Sequence, residues 1–317
     1  MSTSRTTKVP RTIPTSVPST TVNPSRLGLQ SQILPWHLPQ PMYRIMGATL
    51  GGEIYLLGGL NAAGTTIADV EVVDPATGTV TPAGLLAEPT HGGAAVTVGD
   101  RILVFGGAST TVHTDIQAFD PGTKSTQIVG QLPGPRADLS AASVGSEVLL
   151  LGGFDGTGPL QSVLAAPDGI SFQLLGQLAE PIRYPAVAVD QGEVYLFGGL
   201  LSGGEYTGTF TTAIERVDPA TGTATVVANL PVPLAHAMAA VLGGQILLIG
   251  GSTPSGPSAE VYVFEPGNNT LSPIGSLPEP VTDGTVVVVG QTAYVLGGIS
   301  AAPMATVIAV HLVPRPS

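Results

Sequence analysis

The sequence predicts an all-β fold, a β-propeller of six blades that are each a sheet of four antiparallel strands. Three observations lead to this prediction. The 317 residues include 42 glycines and 29 prolines, which favours short strands and tight turns over long helices. A hydrophobic run that ends in Gly-Gly occurs six times. A proline stands at the same distance before each of these doublets.

The repeat is defined by three columns of residues. The first glycines of the doublets are Gly58, Gly106, Gly152, Gly198, Gly250 and Gly297. The column prolines, each 17 residues earlier, are Pro41, Pro89, Pro135, Pro181, Pro233 and Pro280. The column leucines, each three residues before a proline, are Leu38, Leu86, Leu132, Leu178, Leu230 and Leu277. Three columns that are filled in six rows indicate a repeat architecture.

Each repeat has the sequence pattern of four strands. A strand of small apolar residues, such as Ala94–Val98, follows the column proline, and a glycine-containing turn leads to the second strand, which ends at the doublet. The third strand ends at a turn such as Asp74–Gly78, where proline presets φ and glycine supplies positive φ. A fourth strand then leads to the next column leucine. Four strands per repeat are typical of a propeller blade.

The two ends of the chain are predicted to complete one blade together. The sixth repeat reaches its third strand and stops at Ser317, while the segment before Pro41 carries Leu38 in the leucine column. We therefore expect an N-terminal strand, about Ser31 to Leu38, to complete blade six and close the ring. The single tryptophan, Trp36, falls in this segment and is expected to pack at the seam.

The doublets, the Leu-x-x-Pro columns and the Asp-Pro turns resemble those of kelch repeats over about residues 29 to 317. The resemblance implies a six-bladed kelch-type propeller. The chain departs from the family pattern in the fourth strands, where small or aliphatic residues replace the usual tryptophan. We therefore expect valine, leucine and isoleucine to pack the blades against each other.

The chain divides into a tail and a propeller domain. Residues 1–26 are rich in serine, threonine and proline and are predicted to form a disordered linker or tail, whereas residues 27–317 form the propeller. Such segments commonly stand between a membrane anchor and an extracytoplasmic domain. We therefore expect an extracytoplasmic or cell-surface location, with a cytoplasmic location as the alternative. An anchor upstream of this sequence is left open.

Composition excludes several functions. The chain has 11 basic and 22 acidic residues, a net charge of −11, which disfavours nucleic acid as a partner. The absence of cysteine excludes thiol nucleophiles and thiolate metal sites. The longest apolar stretch, residues 237–251, is too short for a membrane-spanning helix. We expect a monomer without cofactor or metal.

Polar and aromatic residues gather directly after the column prolines, where the blades are predicted to surround the mouth of a central channel. We predict a ligand site there, because a concave mouth with a few fixed polar groups is what ligand binding requires. Some of these side chains are expected to brace neighbouring blades instead. The candidate ligand-binding residues are Arg44, Tyr43, His91, Arg136, Asp138, Arg183, Tyr184, His236 and Asp283.

One connection on the same face is longer than its equivalents. The segment Leu200–Phe210 carries Glu205 and Tyr206 between glycines that allow movement. It is predicted to be a lid or specificity loop over the mouth. An insertion without a role is the alternative.

These features predict a non-catalytic binding or sensor module that recognises a protein segment or a glycan at the channel mouth. In kelch adaptors that capture acidic peptides, arginines often occupy the third position after the proline, and only Arg44 matches that role here. The alternative is a carbohydrate-active enzyme resembling a six-bladed kelch sialic-acid mutarotase or epimerase. In that case His236 with Asp138 or Asp283 is the candidate acid–base pair, although no residue is assigned as catalytic.

Overall fold

The structure of the chain is a computed structural model that describes residues 27–314. The tail predicted for residues 1–26 lies outside the described residues, as do residues 315–317. All regular elements between residues 27 and 314 are β-strands. They form six four-stranded antiparallel sheets, so the predicted six-bladed propeller is confirmed.

The first three blades follow the chain from the innermost to the outermost strand. The strands of blade 1 are Met46–Leu50, Glu53–Leu57, Asp69–Asp74 and Thr79–Leu85. The strands of blade 2 are Ala94–Val98, Arg101–Phe105, Asp115–Asp120 and Ser125–Gln131. The strands of blade 3 are Ser140–Val144, Glu147–Leu151, Leu160–Ala166 and Gln173–Ile182.

The other three blades have the same order, except that the outermost strand of blade 6 comes from the N-terminal end of the described chain. The strands of blade 4 are Ala186–Asp190, Glu193–Phe197, Ala213–Val217 and Ala224–Asn229. The strands of blade 5 are Met238–Leu242, Gln245–Ile249, Glu260–Glu265 and Thr270–Ser276. The strands of blade 6 are Thr285–Val289, Thr292–Leu296, Val307–Pro314 and Leu27–Ile33.

Three short two-stranded ladders supplement the blades at the doublet end. They are Met42–Tyr43 with Leu60–Asn61, Leu200–Ser202 with Thr209–Phe210, and Ser252–Thr253 with Gly256–Pro257. Among the residues that the structure describes, no helix is long and apolar enough to cross a membrane.

The N-terminal strand of blade 6 pairs antiparallel with Val307–Pro314, with Leu27 opposite Pro314 and Ile33 opposite Ile308. It lies earlier in the sequence than the expected span of Ser31 to Leu38. After Ile33 the chain leaves the ladder but still donates amide hydrogen bonds from Leu34 and Leu38 to the same blade. Trp36 packs in the hydrophobic cluster between blades 6 and 1, against the turn at Gly78.

Six hydrophobic clusters hold the blades together, and each lies between two neighbouring blades. Valine, leucine and isoleucine supply most of them, as in the cluster between blades 5 and 6, which contains Val261, Val295 and Ile308. Aromatic rings contribute at other interfaces, for example Phe105 against Phe172 with centroids 5.4 Å apart. The six column leucines are all buried. Burial of these side chains is the main favourable term for ring formation.

The Gly-Gly doublets dock each blade on the next one. In all six blades the amide of the second glycine donates to the carbonyl of the residue after the next column proline, at 2.7–2.9 Å. The first glycine has positive φ, and a Cβ there would approach the same carbonyl oxygen to under 3.0 Å. Only glycine therefore allows this close approach without strain. The doublet column is explained by contact between blades.

Replacing a doublet glycine should destabilise the ring far more than replacing a glycine in an open turn. We expect Gly198→Ala to lower the free energy of unfolding by more than about 2 kcal/mol, because it adds a clash with the Leu234 carbonyl to the cost of a left-handed backbone. Gly192→Ala is the control, since Gly192 also has positive φ but no atom lies within 4 Å of its added Cβ. That variant should cost about 1 kcal/mol. Urea unfolding of both variants measures the difference, and equal losses would contradict the docking role.

Candidate functional site

The mouth of the channel is bounded by a closed cycle of main-chain hydrogen bonds. We call the third residues after the six column prolines the mouth ring; they are Arg44, Gly92, Asp138, Tyr184, His236 and Asp283. Each ring residue donates its amide to the carbonyl of the ring residue in the preceding blade, and Arg44 donates to Asp283 to close the cycle, at 2.6–3.3 Å. All six have φ between 52° and 60°. Because five of them are not glycine, the ring holds residues in a conformation they rarely adopt.

Antiparallel β-bridges within each blade hold the residues next to the mouth ring in place. The residue before each ring residue forms an antiparallel bridge with the residue that follows the doublet of the same blade, as in Arg183 with Leu200 and His91 with Ala108. The doublet brings the end of the second strand to the mouth. The residue after it therefore lies beside the start of its own blade.

The mouth ring surrounds a cavity of about 140 Å³ on the propeller axis. Besides the ring, its lining includes the apolar residues Ile45, Leu139 and Ala237, each directly after a ring residue. Below this cavity the channel is lined mainly by small and apolar residues of the innermost strands. Polar groups are thus concentrated at the mouth.

Two arginines and two aspartates form a buried charge cluster in this cavity. The Arg44 guanidinium lies 3.4 Å from the carboxylate of Asp138 and 3.7 Å from that of Asp283. Arg183 approaches Asp138 from the other side, at 3.5 Å. The side chains of Arg44 and Asp138 are each 7% exposed, and that of Asp283 is 4% exposed. Charges so far from water remain ionised only when they are paired, which this arrangement provides.

His236 is held at both ring nitrogens. Nδ1 lies 2.8 Å from Asp283 Oδ1, and Nε2 lies 2.9 Å from the carbonyl oxygen of Glu205. The imidazole stacks between Tyr184, at 3.8 Å, and Tyr206, at 5.0 Å between centroids. Both nitrogens face acceptors, since a carboxylate and a carbonyl can only accept. The doubly protonated imidazolium is the form that satisfies both contacts.

The two aspartates differ in their protonation behaviour. Burial raises the pKa of Asp138 to about 6, and the nearby Arg44 and Arg183 only partly offset it. Burial also acts to raise the pKa of Asp283, but the contacts with His236, Arg44 and Tyr206 outweigh it and hold that pKa below its usual value. The two pKa values differ because Asp283 accepts two short hydrogen bonds, from His236 and from Tyr206, whereas Asp138 has only longer ion pairs.

Residues 203–208, which we call the lid loop, connect the short ladder of blade 4 and lie across the mouth. The Glu205 carboxylate lies 3.1 Å from Arg44 and accepts a hydrogen bond of 3.3 Å from the Tyr184 hydroxyl. Tyr206 donates its hydroxyl to Asp283 Oδ2 at 2.6 Å, and burial together with this carboxylate raises the pKa of Tyr206. Arg183 donates to the Gly203 carbonyl at 2.7 Å. The loop therefore joins blade 4 to blades 1, 5 and 6.

The structure separates the nine predicted residues into two groups. Arg44, Asp138, Tyr184, His236 and Asp283 line the cavity, and Arg183 reaches its edge through Asp138. Tyr43, His91 and Arg136 do not line it.

Each of these three residues has another contact. Arg136 is buried and donates to the Gly152 carbonyl and to Ser162, so it braces blade 3. His91 Nδ1 is hydrogen-bonded to Thr66 at 2.9 Å, and burial, assisted by Arg44, lowers its pKa to about 4. Tyr43 pairs in the short ladder with Leu60. They lie beside the cavity because adjacent positions point to different surroundings, and their role in ligand binding stays a prediction.

Phe154 is not one of the nine candidate residues, but it contacts one of them. The Arg183 guanidinium lies over its ring, 4.7 Å from the centroid, and also 5.2 Å from that of Tyr184. Phe154 directly follows a doublet, and that position was the available signal. Between residues 27 and 314, no group of three His, Asp or Glu side chains is arranged to hold a metal ion.

The raised pKa of Asp138 should be visible in the stability of the protein. Between about pH 4 and pH 6 the folded chain holds a proton on this carboxyl group that the unfolded chain releases, so this group contributes less stability as the pH rises. As the pH rises from 4 to 7, we expect the free energy of unfolding of Asp138→Asn to increase relative to that of the wild type. The increase should be about 1.4 kcal/mol for each unit by which folding raises the pKa of Asp138. Chemical unfolding at a series of pH values measures this difference.

Asp100→Asn provides the matched control, because Asp100 is an exposed carboxylate in the turn between the first two strands of blade 2. The stability difference between Asp100→Asn and the wild type at each pH is the baseline for the Asp138→Asn series. A difference for Asp138→Asn that only follows this baseline would contradict the burial argument.

Comparison with known proteins supports the fold. A family model described as the kelch motif matches residues 47–84, which lie within blade 1. A search of curated proteins found no match. The solved structure of YjhT is similar, with a TM-score of 0.73, 16% sequence identity, and coverage of 88% of this chain and 96% of that chain. Identity at this level shows a shared fold and leaves the ligand open. The chain is a six-bladed β-propeller, its first blade matches the kelch motif, and the same residue columns recur in all six blades.

Proposed function

We propose that the chain is a non-catalytic binding or sensor module that holds a protein segment or a glycan at the mouth of its channel. The observation that carries the proposal is convergence: charged and aromatic side chains from blades 1, 3, 4, 5 and 6 meet at one cavity on the axis. Each is held in place by the mouth ring and by its neighbours. A rigid concave site of this kind is what specific binding requires.

The state of the histidine favours binding over turnover. A general acid or base must reach the proton that it transfers. His236 has a fully buried side chain, with one nitrogen on Asp283 and the other on the Glu205 carbonyl. Neither nitrogen is open to a substrate while the lid loop lies over the mouth.

The second candidate is a carbohydrate-active enzyme at the same mouth. The contact that favours it is the 2.8 Å hydrogen bond between His236 and Asp283, because a carboxylate that orients an imidazole is a common acid–base arrangement. In that function the lid loop would have to open before each turnover.

Location and oligomeric state belong to the same proposal. The Ser/Thr/Pro-rich composition of residues 1–26 supports an extracytoplasmic or cell-surface module. We propose that it acts as a monomer. Fractionation of expressing cells and light scattering of the purified protein are the tests, and a cytoplasmic pool or a stable oligomer would contradict these two points.

Ligand binding at the mouth can be tested with a panel of sugars, cell-wall fragments and peptides, first by thermal shift and then by calorimetry. We expect at least one compound to bind, and Arg44→Gln to weaken it at least about tenfold, because the variant removes a charged donor from the cavity. Tyr184→Phe removes only a hydroxyl and should weaken binding with little effect on folding. Arg101→Gln is the control, since Arg101 is exposed and starts the second strand of blade 2, at the end away from the doublet.

Two results would change the assignment. If a bound compound is converted over time by the wild type but not by His236→Gln, the chain is a carbohydrate-active enzyme and the assignment as a non-catalytic binding module is wrong. If Arg44→Gln and Tyr184→Phe both bind as the wild type does, the ligand lies elsewhere on the propeller.

A further inference from the structure

One residue of the lid loop occupies three hydrogen-bond donors of the mouth. The Glu205 carboxylate contacts Arg44 Nη2 at 3.1 Å and the Tyr184 hydroxyl at 3.3 Å, and its main-chain carbonyl accepts from His236 Nε2 at 2.9 Å. These donors belong to blades 1, 4 and 5. They converge above the cavity on Glu205, which accepts from them with two groups, its carboxylate and its main-chain carbonyl.

Glu205 is much more exposed to solvent than the side chains that donate to it. Glu205 is 45% exposed, whereas the side chains of Arg44 and His236 are 7% and 0% exposed. The donors belong to the rigid mouth ring, but Glu205 lies in a loop whose ends contain Gly203, Gly204 and Gly208. Glycine gives such a loop the backbone freedom to move. Opening of the loop would break its contacts with Arg44, His236 and Asp283, but the main-chain hydrogen bonds of the ring do not involve the loop.

The charges of the groups around the mouth indicate which kind of ligand could take the place of the Glu205 carboxylate. Arg44, Arg183 and the imidazolium of His236 supply three positive charges, and Asp138, Asp283 and Glu205 supply three negative charges. The hydroxyls of Tyr184 and Tyr206 complete the groups that face the site. Removing the Glu205 carboxylate leaves the buried groups with one net positive charge, although each cation still has an aspartate partner, and a buried net charge is costly. One singly charged anion restores the balance, whereas a dianion would exceed it.

We propose that Glu205 is an internal occupant of a carboxylate-binding subsite, and that a compact carboxylate ligand displaces it when the lid loop opens. The ligand carboxylate would accept from Arg44, Tyr184 and His236 in its place. The cavity of about 140 Å³ below the donors suits a ligand the size of one sugar ring better than an extended chain. This inference rests on the proposed function, because it describes the ligand and the regulation of the same mouth.

The test compares D-glucuronate with D-glucose, which lacks the carboxylate, and with inorganic phosphate, by calorimetry at pH 7. We expect Glu205→Ala to bind glucuronate at least about tenfold more tightly than the wild type does, because the carboxylate that competes for Arg44 and Tyr184 is removed. Glucose and phosphate should show no such gain. Adding Arg44→Gln to Glu205→Ala should abolish the gain.

Two further variants keep the test independent of folding effects. Thr207→Ala alters the same loop at a residue whose amide bonds to Gly204 within the loop, and it should bind glucuronate as the wild type does. Glu205→Gln keeps the side-chain length but removes the charge, and its affinity should lie between those of the wild type and Glu205→Ala. Hydrogen exchange of residues 200–210 without ligand should be faster in Glu205→Ala than in Thr207→Ala.

The proposal is overturned if Glu205→Ala binds glucuronate no more tightly than the wild type, or if neither binds it. A gain for phosphate, or for a glutamate-containing tripeptide measured by the same calorimetry, but not for glucuronate, also overturns it. These results leave the proposed function intact if another compound of the panel still loses affinity with Arg44→Gln. Failure of every compound at the mouth would overturn both.

Discussion

The whole ring depends on one hydrogen bond that is repeated six times, from the second glycine of each doublet to the carbonyl after the next column proline. This bond forms only if the first glycine has no side chain, because a Cβ would occupy the space of the carbonyl oxygen. The contact fixes how far each blade stands from the next. It thereby brings the residues after the prolines to the axis, where their amides and carbonyls close the mouth ring. The hydrophobic clusters between blades supply favourable burial, and the doublets set the register in which that burial occurs.

The mouth shows how a chain with few charged residues can bury several of them. Arg44, Asp138, Arg183 and Asp283 are removed from water but lie within ion-pair distance of one another. Direct hydrogen bonds separate the behaviour of the two carboxylates, since Asp283 accepts from His236 and Tyr206 and Asp138 has no bond as short. Main-chain strain and buried charge thus occur at the same place. Both are features that proteins commonly concentrate at functional sites.

The lid loop adds a third element to this site, because it supplies acceptors from within the chain to Arg44, Tyr184, Arg183 and His236. The Nε atoms of Arg44 and Arg183 remain without a hydrogen-bond partner. The sequence indicated the loop through the longer spacing between Gly198 and Gly250 and named Glu205 and Tyr206. It did not indicate that these residues reach blades 1, 5 and 6, because no local pattern encodes a contact between segments so distant in the chain. Arg136 illustrates the opposite case, since it stands beside the ring in sequence but turns into blade 3.

The sequence by itself determined the number of blades, the four strands of each, and the positions that surround the mouth. These follow from a repeated local pattern: strands alternate with turns that need glycine and proline, and equal spacing makes equivalent residues meet around an axis. Only the tertiary structure decided which of those residues line the cavity, which brace the blades, and how their charges are paired. The physical reason is that a side chain's direction and its pKa depend on neighbours brought in from other blades. Adjacent positions of the same repeat therefore have different surroundings.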